Sequence, residues 1–209
     1  MSAPPVVEFV SLTASEALKA SDTVGTEALN IVLESAGAQK VFRGMQAEDK
    51  ATAYVAVGWD TLKAHQDLMV DKARYDPLLA SLATTIAPGT QLTMVHVAFN
   101  NHAAAIQALV DPATELAWLT LKSLDQATAL PGNMDNLEKA LATASGRRSY
   151  TWGKVVEKED QYLLIVGWDT VEAHLNALKV NQNLSTTVAK TSEWVEIDLV
   201  HVNFTEYKL

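Results

Sequence analysis

One nine-residue phrase occurs twice in this chain. Val57-Gly58-Trp59-Asp60-Thr61-Leu62-Lys63-Ala64-His65 returns as Val166-Gly167-Trp168-Asp169-Thr170-Val171-Glu172-Ala173-His174, with seven of nine positions identical at an offset of 109. The same offset aligns Phe9-Val10-Ser11-Leu12 with Trp118-Leu119-Thr120-Leu121, Gly37 with Gly146, and Arg43-Gly44 with Trp152-Gly153. Near the end, Met94–Phe99 matches Leu199–Phe204 at offset 105. A chain that states one unit twice folds as two copies of one architecture, so its 209 residues divide into two units of ordinary small-domain size. The expected boundaries are 5–100 for the first repeat, 101–112 for a connecting helix, and 113–209 for the second repeat.

The unit reads strand, helix, strand, strand, helix, strand. Val6–Leu12 is rich in β-branched and aromatic residues and predicts a strand. Apolar residues recur at helical spacing from about Thr23 to Ser35, and Gly37 follows as a stop. Lys40–Met45 and Thr52–Trp59 are strands joined by the polar turn Ala47–Lys50, hence a hairpin. Asp60 is expected to cap the next helix, and Asp169 to Glu172 has capping-box spacing in the copy. That helix is expected to reach Tyr75, with Pro77 ending or kinking it. Gln91–Phe99 completes the unit as a fourth strand. The order is the split β-α-β of ferredoxin-like folds. Both faces of the third strand are apolar, whereas helices cover one face only, so each unit's remaining face is expected to be covered by the other's sheet.

Composition removes several classes of function. The net charge of −9 is wrong for a nucleic-acid binder, which neutralises phosphates with Lys and Arg. With no cysteine there is no disulfide, no thiolate nucleophile and no Cys-ligated metal. The segment Met1-Ser2-Ala3-Pro4-Pro5 lacks a charged-then-apolar leader pattern, and no apolar run reaches membrane-spanning length. A soluble cytoplasmic protein with no nucleic-acid or membrane partner is the expectation. Gly-x-Gly-x-x-Gly, P-loop and Gly-x-Ser-x-Gly patterns are absent, which disfavours nucleotide-dependent and serine-hydrolase chemistry.

The third strand ending in Gly-Trp-Asp-Thr (Gly58–Thr61 and Gly167–Thr170), followed by Ala-His on the next helix, resembles the dimeric α+β barrel superfamily. That superfamily includes antibiotic-biosynthesis-monooxygenase-like and stress-responsive A/B barrel proteins. The resemblance spans nearly the whole chain twice and implies two tandem ferredoxin-like repeats forming one intramolecular α+β barrel. It also implies a monomer with an internal pseudo-dimer, or a homodimer of it. Because the same barrel hosts oxygenases, cyclases, lyases, haem-degrading enzymes and plain binders, it implies no single activity.

Four of the five histidines, His65, His96, His174 and His201, occupy repeated positions. Each is either a packed fold residue or an acid, base or ligand anchor. His65 shares a helical stripe with Leu62 and Met69, and His174 with Val171 and Leu178. Strand alternation puts His96 with Leu92, Met94 and Ala98, and His201 with Ile197, Leu199 and Asn203. No His-x-His, His-Glu-x-x-His or histidine–carboxylate cluster has ligand spacing in sequence, so no metal is expected. No cofactor is expected either, with haem on one histidine the option the relatives leave open.

Trp59 and Trp168 recur with the fold motif and read as core anchors that also border a ligand site. Positions where the copies differ escape the demands of the shared scaffold. Arg43 faces Trp152 across the alignment, and Tyr54 faces Leu163. Arg43, Tyr54, Trp152 and Met94 therefore join the two tryptophans as candidate substrate contacts. The expected function is an enzyme of small aromatic or polyketide-like metabolism, a cofactor-independent monooxygenase or a cyclase or lyase, holding a small apolar or aromatic molecule in an apolar cavity. The alternatives are a non-catalytic small-ligand or stress-associated protein, and a duplication whose former active site has decayed.

Overall fold

The computed structural model describes residues 3–209; Met1 and Ser2, at the start of the segment read for a leader, lie outside the described residues. Eight strands form a closed barrel in the order β1-β3-β2-β8-β5-β7-β6-β4, and the helices make the fold mixed α+β. The chain divides into two compact units, one reaching Ala98 and including Thr205–Leu209, the other Phe99–Phe204.

In the first unit the order is β1 (Val6–Thr13), α1 (Glu16–Ala20), α2 (Thr26–Leu33), β2 (Ala38–Gln46), β3 (Thr52–Trp59), α3 (Leu62–Val70), α4 (Lys72–Ala83) and β4 (Thr93–Phe99). β1 lies between β3 and β4, and β3 pairs onward with β2, all antiparallel. Alternation sends Val6, Val41, Val57 and Trp59 to the helix-covered face, where they meet Ala28 and Leu29 of α2, Leu68 of α3 and Leu78 of α4, while Val10 on the same face joins a second cluster with Leu12 and Leu82. Val7, Phe9, Phe42 and Ala56 point to the opposite face and are equally buried. The strands are thus apolar on both faces, as the sequence pattern requires.

The second unit opens with α5 (His102–Val110), which packs on β6 and β7. It continues with β5 (Ala113–Leu121), a short 3₁₀ turn at Leu124–Thr128, α6 (Leu130–Leu141), β6 (Arg147–Val155), β7 (Gln161–Trp168), α7 (Val171–Val180), α8 (Gln182–Thr191) and β8 (Val195–Tyr207). β5 pairs with β7 and β8, repeating the first unit's plan. Its core joins Trp168, Val166 and Leu164 of β7 to Met134, Leu137 and Leu141 of α6 and Leu184 of α8.

Four local expectations change. Thr61 and Thr170, not Asp60 and Asp169, cap their helices: each hydroxyl accepts from the backbone N–H three residues on, at 3.2 and 3.1 Å. The Asp60 and Asp169 N–H groups are already given to the Gly37 and Gly146 carbonyls, both at 2.8 Å. The second helix of each unit breaks at Asp71 and Asn181, where ψ swings to 84° and 93°. Pro77 lies inside α4, and the copy breaks at the same place without a proline. The α3 stripe is Leu62, His65 and Leu68 rather than Leu62, His65 and Met69, since Met69 is exposed. Finally, strand register gives the first strands an offset of 107, not 109: Val6 pairs with Trp59 where Ala113 pairs with Trp168. That slip matters for the site.

Candidate functional site

At offset 107 Glu8 aligns with Glu115. Each glutamate sits mid-strand on the helix-covered face, directly across from a strand histidine: Glu8 opposite His96 and Glu115 opposite His201. In each unit one tryptophan from the repeated phrase, one glutamate, one helix histidine and one strand histidine form a buried tetrad. Both tetrads lie within their own unit.

In the first unit the Trp59 indole Nε1–H donates to Glu8 Oε2 at 2.8 Å. The His65 ring stacks on the indole, with centroids 4.9 Å apart and planes 13° off parallel. His65 Nδ1 lies 2.7 Å from His96 Nε2, one nitrogen donating to the other. In the second unit Trp168 Nε1–H donates to Glu115 Oε2 at 2.7 Å, and His174 stacks on Trp168 at 4.8 Å and 23°. His174 Nδ1 lies 2.8 Å from His201 Nε2.

The sequence builds this from local pieces. The strand end delivers the indole, the Thr cap starts the helix, and His65 or His174 follows four residues after the cap, one helical turn on and facing the sheet. Gly37 and Gly146, both at φ +82°, let the preceding chain pass against that first turn. A Cβ on either would stand 2.6 or 2.7 Å from the Cβ of Ala64 or Ala173.

Burial sets the electrostatics of the second tetrad. Desolvation pushes the Glu115 carboxyl up to about 7, partly offset by the Trp168 hydrogen bond. His174 is pushed down to about 4 by burial first and by the neighbouring His201 second. At neutral pH His174 is therefore neutral. Its 3.6 Å approach to Glu115 is a contact between a neutral ring and a carboxyl that burial holds well above the usual carboxylate range, not an ion pair. A neutral buried imidazole hydrogen-bonded to a second one can accept a proton and pass it on.

The four predicted histidines thus come together two by two, and Trp59 and Trp168 join them. The other predicted contacts do not. Arg43 lies on the helix-covered face, bound to the Asp22 carboxylate and backbone carbonyl and lying over the Tyr207 ring at 5.3 Å. Tyr54 points to the opposite sheet face from Val55 and is buried. Trp152 packs on Tyr162 with centroids 6.0 Å apart, and Met94 joins the cluster around Val10 and Leu12. A groove of about 490 Å³ runs beside α3, lined among others by Gly37, Asp60, Lys63, Asp67, Asp71 and Arg74. None of the predicted site residues lines it. Glu8 and Glu115 escaped the sequence reading, although a glutamate inside Val6-Val7-Glu8-Phe9-Val10 is itself a signal.

This chain has the fold of the dimeric α+β barrel proteins, with the two ferredoxin-like repeats in tandem. A Fusobacterium nucleatum protein provisionally named a monooxygenase is similar along its whole length and that of this chain, with TM-score 0.68 and 11% identity. A protein described as anthrone oxidase-like aligns with TM-score 0.67 and 12% identity over 97% of this chain and 92% of its own. Chlorite dismutase from Candidatus Nitrospira defluvii aligns with TM-score 0.62 and 11% identity over the same shares. At these identities the likeness concerns the fold. No protein-family model and no curated protein matches the sequence. Among the described residues, no helix is long and apolar enough to cross a membrane.

Proposed function

We propose that this chain is a small-molecule oxygenase that needs no redox cofactor and works in the cytoplasm on an electron-rich aromatic such as a hydroxyanthrone. The observation that carries the reading is the doubled tetrad, in which a buried imidazole pair sits against a carboxyl and an indole. His96 and His201, relayed by His65 and His174, take a proton from the substrate. The resulting carbanion reduces O₂, and an anthrone methylene plus O₂ becomes a quinone carbonyl plus water. The burial of the tetrad favours such deprotonation by withholding competing water.

The test is oxygen uptake and quinone absorbance with a soluble hydroxyanthrone and chelator-treated protein. Uptake above the uncatalysed rate is expected, falling about 10²–10⁴-fold when His96 and His201 are both replaced by Ala. A rate equal to background, or unchanged in the double variant, overturns it. A second reading, a non-catalytic small-ligand protein, is supported by the closure of both tetrads, whose histidines are at most 4% exposed. A co-purified molecule in native mass spectrometry, together with no oxygen uptake, would select it.

A further inference from the structure

We propose that the first unit binds one divalent first-row transition-metal ion on Glu8, His65 and His96. One ligand atom from each of these three buried residues can be chosen so that all lie within 4.8 Å of one another. His65 Nδ1 is the common vertex, 2.7 Å from His96 Nε2 and 3.5 Å from Glu8 Oε2. A metal with bonds of about 2.0–2.1 Å to imidazole nitrogen and carboxylate oxygen spaces neighbouring ligand atoms about 3.0–3.4 Å apart. The histidine pair opens by a few tenths of an ångström, the His65–Glu8 edge closes by a similar amount, and the third edge, from Glu8 to His96, closes from within 4.8 Å to complete that triangle.

The donor set suits the assignment. Two imidazoles and one carboxylate on one side of an ion are a first-row transition-metal set with coordination positions left over. The Trp59 indole already holds the Glu8 carboxylate by its Oε2, the kind of outer contact that orients a ligand.

The second unit has the same residue types in another arrangement. His174 directs Nδ1 to His201 but approaches Glu115 with Nε2, so its partners sit at different nitrogens of one ring. Among the described residues no second group of three converges as the first does. The expected stoichiometry is one ion per chain. Occupied, the site withdraws His65 and His96 from proton transfer and leaves that to His174 and His201. The inference goes beyond the oxygenase reading and does not depend on it.

Full-length protein stripped with chelator and dialysed is titrated with Co²⁺, followed by visible absorption and by metal analysis after gel filtration, with Zn²⁺ as competitor. One Co²⁺ per chain, displaced by Zn²⁺, is expected. Binding should weaken at least tenfold in Glu8→Gln and His96→Asn, and stay within twofold of wild type in Glu115→Gln and His201→Asn. Because a buried substitution can unfold the chain, zinc X-ray absorption on the wild-type protein supplies a reading without variants, expecting two imidazoles and an oxygen ligand. No retained metal, two ions per chain, a shell without imidazole, or a loss confined to the second-unit variants each overturns the proposal. Oxygen uptake enters none of these readings, so either proposal can fail alone.

Discussion

At the residue scale, each indole N–H donates to a buried glutamate carboxyl, Trp59 to Glu8 and Trp168 to Glu115. Trp168→Phe removes the contact that lowers the Glu115 carboxyl, so its titration should move above about 7, read by carbon NMR of the glutamate side chain. The same change leaves a buried acceptor short and should cost about 1–3 kcal/mol in urea unfolding. The pH dependence has a definite sign. Glu115 titrates at about 7 when folded against an ordinary 4.5, so it favours the fold below about 4.5 and loses that contribution as pH rises to about 7. Wild type should lose up to about 3 kcal/mol relative to Glu115→Gln across that window. His174 acts oppositely: held at about 4 against 6.5, it costs stability as pH falls from about 6.5 to about 4. Wild type should lose ground to His174→Asn over that range, and the reverse slope in either comparison contradicts the burial argument. The histidines of this site were legible from their repetition. Their carboxylate partner was not, because Glu8 and Glu115 align only once the first strands are shifted by two residues.

At the element scale, the helix that carries His65 or His174 begins at a threonine. Thr170→Ala should cost about 1 kcal/mol by thermal or urea unfolding. Asp169→Ala removes an exposed contact with Arg148 and should cost less than about 1 kcal/mol. Equal or reversed losses would restore Asp169 as the cap. Gly146→Ala should destabilise further, combining a left-handed φ with a Cβ against Ala173. Ala173→Gly in the same chain should recover the steric part and leave the backbone part, a cycle read from the two single variants and the double. Strand and helix positions were largely readable because hydrophobic period and turn chemistry are local. The breaks at Asp71 and Asn181 were not, and Pro77 drew attention to the wrong residue. The copy shows why: the same break forms at Asn181 without a proline in its helix, so the fold's packing, not a helix-breaking residue, turns the chain there.

For the whole molecule, the closed order β1-β3-β2-β8-β5-β7-β6-β4 gives every strand a hydrogen-bonded neighbour on both edges. A net charge of −9 sets up a mutual repulsion between copies that fades as the pH falls toward the isoelectric point. Light scattering should find self-association greatest near the isoelectric point of about 5.0 and least at pH 8. The sequence by itself determined that there are two copies, the order of elements in each, and which histidines recur. Only the tertiary structure decided that Glu8 faces His96, that His65 lies on Trp59, and that the two tetrads differ in which nitrogen meets the glutamate. The reason is the period of a strand. A slip of two residues leaves every side chain on its original face, so the apolar pattern is blind to it, while the partner across the sheet changes. The contacts of the first tetrad join residues 31 and 51 apart in sequence, and register, not composition or periodicity, sets them.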